Sequence, residues 1–158
     1  MVIKPYGEKS PSLDHVVHLY HKLLPDMQPY VLMLQTDPDD RYITESTLDE
    51  ISNNIPVQFI SSLQEVDKTI AEFGQPVVIL VNDQGSAQQG PTLVKKLKNN
   101  PLYSHIPVVI LGEVTTSEYI QECYRAGANT FIIKPSTIVE TRKKIATFFS
   151  YWFDVAEV

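Results

Sequence analysis

A single α/β domain, built on a parallel sheet covered by helices on both faces, is the fold class this chain of 158 residues predicts. Three observations lead there. Five short apolar runs recur along the chain, at residues 30–34, 57–60, 77–81, 106–111 and 131–133. Each run is followed by a segment with helical spacing. Apart from Gln58, the runs are apolar at successive positions and rich in Val and Ile, the pattern of strands buried on both faces.

The elements follow in order. Residues 1–12 hold two prolines, a glycine and polar groups, and read as a loose arm. Leu13, Val16, Val17, Tyr20, Leu23 and Leu24 repeat at helical spacing, with Ser10-Pro11 as cap and first turn and Pro25 as stop. The chain therefore divides into an arm with an amphipathic helix, residues 1–29, and a larger domain, residues 30–158. The run at 30–34 (YVLML) is the first strand, and Asp37, Asp39 and Asp40 suit the N-terminus of the helix after it, about 39–52. After the strand at 57–60, Ser62 and Glu65 have capping-box spacing for a helix through Phe73 that Gly74 ends.

The third strand, residues 77–81, ends at Asn82 and leads to a loop with Gly85 and Gly90; Pro91 opens a helix to about Asn99. Thr115 and Glu118 give capping-box spacing for the helix after the fourth strand, which Gly127 closes. A last helix runs from about 137 to 152 or beyond. Right-handed crossovers restrict this rhythm to a doubly wound sheet. The flavodoxin-like order 2-1-3-4-5 suits five strands, with its site where strands one and three end.

Composition narrows function. A net charge of −6 gives no basic footprint for nucleic acid. No apolar run approaches the roughly 18 residues of a membrane span, and the N-terminus has no apolar leader core. Cys123 is the single cysteine, so no internal disulfide forms; a cytoplasmic location is expected. Mid-helix, Cys123 reads as a small buried apolar residue. His15, His18 and His21 read as the wet side of the first helix rather than metal ligands, and His105 as a surface turn residue. The loop at 85–90 lacks the lysine of a phosphate-binding P-loop, since Pro91-Thr92 follows Gly90. Five aromatics in residues 148–153 cannot all face inward on a helix. Their excess predicts a partner or homodimer surface, or packing against the first helix.

These residues resemble the receiver domain of bacterial two-component response regulators over roughly residues 30–149. Asp37-Pro38-Asp39-Asp40 after strand one, PVVILVN leading to Gly90, SHIPVVIL, and RAGANTFIIKP ending in Lys134-Pro135 carry the likeness. The resemblance implies an aspartate at the end of strand three that takes phosphoryl from a kinase histidine. It also implies two acids after strand one that hold Mg²⁺, a Ser or Thr ending strand four, a lysine after strand five and an aromatic switch on strand five. The proline after the lysine is expected to follow a cis bond.

Carried onto this chain, the acceptor position falls on Asn82, eight residues before Gly90, and the acid pair on Gln35 and Thr36. The hydroxyl position falls on Gly112, the switch on Phe131 and the lysine on Lys134. An amide nitrogen is no nucleophile, and neutral oxygens suit a hard dication poorly. Mg²⁺ binding is therefore expected to be absent or weak, with no metal or other cofactor and no enzymatic activity. Asn82 and Gln35 are expected to meet Lys134 as neutral partners. Asp37 and Asp83 are neighbouring acids; strand alternation turns Asp83 away from the pocket, as a solvated loop acid. The expectation is a divergent pseudo-receiver working by protein–protein contact, with a histidine kinase or a downstream effector as partner. The alternatives are phosphorylation at a non-standard Asp and a small-molecule site in the vacated pocket.

Overall fold

The computed structural model describes residue 12 and residues 28–50, 56–83, 89–113 and 115–158. Five parallel strands form one sheet in the order β2-β1-β3-β4-β5: β1 (Val31–Leu34), β2 (Val57–Ile60), β3 (Val78–Asp83), β4 (Val108–Gly112) and β5 (Thr130–Ile133). Between and after them lie α1 (Pro38–Glu50), α2 (Val66–Phe73, entered through a 3-10 turn at Leu63–Glu65), α3 (Gln89–Asn99), α4 (Ser117–Ala126) and α5 (Ile138–Ser150). The fold class, strand order and helical layers are those the residue pattern predicts. The expected helix at 13–24, with its three histidines, and the glycine of the loop at position 85 lie outside the described residues.

Strand alternation divides the core. Leu32, Leu34, Ile79, Val81, Val108 and Ile110 pack with Val66, Val94 and Cys123 on the face covered by α2, α3 and α4. Val31, Met33, Val78, Leu80 and Val109 pack with Leu48, Phe148 and Phe149 under α1 and α5. Burying each large aliphatic contributes about 1.5–3 kcal/mol relative to exposure. Cys123 has no exposed surface, as its apolar setting predicts. His105 is exposed, Nε2 lying 2.8 Å from Gln75 Oε1.

Helix ends follow their caps with one shift. The Glu65 carboxylate accepts from the Ser61 and Ser62 amides at 2.7 and 2.9 Å, and those donors hold it below the usual carboxylate range. At α4 the cap is Thr116 and not Thr115, its hydroxyl accepting from Tyr119 N at 3.2 Å. Adjacent threonines offer two registers, and the inward placement of Tyr119 and Cys123 selects the later one. Thr116→Ala is expected to lower stability by about 0.5–2 kcal/mol, with Thr115→Ala nearly neutral, as denaturant titration would measure. Gly127 ends α4 at φ 113°, a region costly to residues with a Cβ.

β3 runs two residues further than its apolar stretch, because Asp83 pairs in register with Gly112. Thus Asn82 lies inside the strand. The last helix passes into a wider π-helical turn at Tyr151–Val155. Phe148 and Phe149 are buried, Trp152 and Phe153 partly so, and Tyr151 is half exposed. The aromatic run is thus split between core and surface.

Candidate functional site

The strands end together at the top of the sheet, where the residues of interest collect. Gln35 follows β1 and is fully buried. Its Oε1 accepts from Asn82 Nδ2 at 2.9 Å and from the Asp37 amide at 3.0 Å, while its Nε2 has no partner. Asn82 and Gln35 are thus joined by one hydrogen bond on the α1 and α5 side of the sheet. Thr36 is exposed. Asp37 is the cap of α1: its Oδ1 accepts from the Asp39 amide at 2.8 Å, with the Asp40 amide at 3.4 Å.

Lys134 does not turn to the amides. Its Nζ forms an ion pair with Asp40 Oδ2, both side chains being about four-fifths buried. A full carboxylate competes better for an ammonium than neutral amide oxygens do. This pair joins residues far apart in sequence, and its only sequence signal is an acid on the inner side of the first turn of α1. The Lys134–Pro135 bond is trans, contrary to the expected cis form, as no cis bond occurs among the described residues. Trans is the lower-energy isomer even for X-Pro; on the other side of Lys134, its amide donates to Gly112 O at 2.7 Å.

Asp83 points to the opposite face from Asn82, as alternation requires. It is not a solvated loop acid: the residue is only 5% exposed. Its Oδ2 accepts from the Tyr119 hydroxyl, and that same oxygen of Tyr119 accepts from the Gly90 amide at 3.2 Å. Burial, then the Asp83 hydrogen bond, push the Tyr119 phenol well above its ordinary pKa. Burial likewise raises the Cys123 thiol to about 11. Tyr119 carries the main signal the residue pattern left unused: it shares the inward stripe of α4 with Cys123 and Ala126.

Gly112 and Phe131 meet directly. A Cβ built on Gly112 would stand 2.5 Å from Phe131 Cζ, so the ring fills the space of a side chain there. Phe131 also meets Tyr119 edge to face, with centroids 6.4 Å apart. Beside these groups, Thr36, Ser61, Ser62, Asn82, Asp83 and Lys96 border a polar cleft of about 410 Å³. A larger groove of about 1170 Å³ runs between β5 and α5, floored by Ile132, Phe148 and Trp152. β5 is an edge strand, and Tyr124, Ile133, Ile138 and Val139 are exposed around it.

Comparison with known proteins agrees with this architecture. The family model of the response regulator receiver domain matches residues 31–146. A two-component response regulator of Oryza sativa subsp. indica is 26% identical over 122 residues, covering 71% of this chain and 91% of its own length. Another, of Oryza sativa subsp. japonica, is 27% identical over 113 residues with the same coverage, 71% and 91%. The likeness thus includes plant relatives. Among solved structures, a response regulator from Hahella chejuensis superposes with a TM-score of 0.72 at 22% identity, covering 83% of this chain and 99% of that one. A response regulator of red light signalling from R. palustris gives 0.70 at 20% identity, covering 82% and 97%.

Proposed function

Because this chain belongs to the response regulator receiver domain family, we propose that it is a divergent receiver that signals by protein–protein contact without phosphorylation at the usual position. The observation that carries this is the amide pair at the end of β1 and β3: Asn82 is bonded to Gln35 where the family needs an aspartate beside acids. An amide nitrogen conjugated to its carbonyl does not attack phosphorus. The charge of Lys134 is already met by Asp40.

The residues at the site do not suit the Mg²⁺ that receivers employ. Gln35 Oε1 already accepts two hydrogen bonds, and the Asp37 and Asp40 carboxylates are engaged by α1 amides and by Lys134. Among the described residues no three His, Cys, Asp or Glu side chains are placed to hold a metal ion. A magnesium site needs carboxylates with open positions around them.

Output is assigned to β5 and its flanking helices, through the exposed Tyr124, Ile133, Ile138 and Val139. Exposed apolar groups beside an open strand edge suit a protein partner, whether histidine kinase, effector or second copy. Incubation with Mg²⁺ and a small phosphoryl donor is expected to leave the intact mass unchanged. A stoichiometric adduct with the lability of an acyl phosphate would overturn the reading. Asp83 is the alternative acceptor, but its burial against Tyr119, on the face away from Asn82, weighs against it. The cleft at Thr36 and Asn82 favours one further reading, a small polar ligand, because its volume of about 410 Å³ is within the range of ligand pockets. A thermal shift with a metabolite panel tests that.

A further inference from the structure

We propose that Asp83, Tyr119 and the Gly90 amide form a built-in latch that holds α4 and the Phe131 ring in one arrangement, independent of any modification. The inference rests on the phosphorylation-independent reading, for which it supplies the regulation: the output face is set by the fold itself.

The latch joins three elements at one oxygen. Tyr119 Oη, on α4, donates to the carboxylate at the end of β3 and accepts from the first turn of α3. Both residues are at least nine-tenths buried, although Asp83 also borders the polar cleft. A hydrogen bond to a buried charged acceptor is among the stronger kinds. The approach is close: a Cβ at position 90 would lie 2.8 Å from Asp83 Oδ2 and 2.9 Å from Tyr119 Oη, so one of these side-chain ends would have to shift.

Tyr119 then passes the constraint on. Its ring meets the edge of Phe131, and Phe131 occupies the space over Gly112. Phe131 is further tied to α4 where its amide donates to Tyr124 Oη at 3.1 Å. The result is a continuous path from β3 through α4 to β5 and the end of β4. In the family this chain belongs to, an aromatic at the Phe131 position moves when phosphoryl arrives; here a resident carboxylate already holds its neighbour.

Two substitutions open the latch from opposite sides. Tyr119→Phe removes one hydroxyl and keeps the ring. Gly90→Ala wedges a methyl between the partners, although alanine is the better helix former. Amide hydrogen exchange of the full chain, resolved by peptide mass, is the measurement. Residues 116–126 and 130–133 are expected to exchange about tenfold faster in both variants, through local opening. Residues 31–34 and 57–60 serve as the reference and should hold the wild-type rate.

Wild-type rates in α4 and β5 for either variant, or acceleration spread evenly over all strands, would overturn the latch. Either would leave the phosphorylation-independent reading untouched. Conversely, a phosphoryl adduct on the wild-type chain would overturn the functional reading itself, whatever the exchange rates.

Discussion

Gly112→Thr is expected to drive the Phe131 ring out of the sheet's inner face and to destabilise the domain by about 1–3 kcal/mol. Taken alone, threonine is a better strand residue than glycine, and the backbone at 112 needs no left-handed conformation. The cost comes from the ring. A Cβ at 112 would stand 2.5 Å from Phe131 Cζ and within 3.3 Å of both flanking carbons, so no small adjustment relieves it. Moving the ring outward uncovers apolar surface and breaks the edge contact with Tyr119. Chemical denaturation gives the stability, and ring resonances give the displacement. An unchanged midpoint with the ring still inward would refute this account.

A second large effect is expected in alkali. Three weak acids are held neutral inside the fold: burial raises the Tyr30 phenol from 10.0 to about 12, and the Cys123 thiol from 9.0 to about 11, while Tyr119 is raised as well. Raised folded-state values mean that the unfolded chain releases these protons first. Their contribution is therefore complete below about pH 9, and it is lost as pH climbs through the unfolded values toward the folded ones.

One pKa unit corresponds to about 1.4 kcal/mol, so Tyr30 and Cys123 each contribute on the order of 2–3 kcal/mol. With Tyr119 added, the loss is comparable to the net stability of a typical domain, about 5–15 kcal/mol. Cooperative unfolding is expected between about pH 10 and 12, followed by far-UV circular dichroism, with Tyr30→Phe moving the midpoint upward. A denaturant midpoint as high at pH 11 as at pH 8 would show that these groups are solvated in the folded state.

Much of this was legible in the chain. The strands announced themselves because a sheet covered on both faces leaves no place for polar residues within YVLML or VVILV. Asn82 stands eight residues before Gly90 and Gly112 fourteen before Ala126, and Gln35 and Thr36 stand where the acid pair precedes Asp37-Pro38 in the motif after strand one, because spacing between strand ends and helices is set by the fold. The misplaced features depend on contacts between distant residues. Asp83 looked like a loop acid because nothing local shows that a tyrosine thirty-six residues later will bury it. Asp40, not the amides, met Lys134 for the same reason, across ninety-four residues. The cap falls on Thr116 and not on Thr115 because two threonines stand together and only the inward face of α4 decides between them.

The turn that closes the chain has a consequence for observation. Trp152 is the chain's single tryptophan, and it stands in the π-helical turn after α5, lining the groove beside β5. Its indole lies 6.3 Å from the Phe148 ring and 5.2 Å from that of Tyr151, centroid to centroid. All indole emission therefore originates at this one place, where the ring is partly buried against the core. The fold carries its own fluorophore in the lining of the groove beside β5, so occupancy there can be read in unlabelled protein.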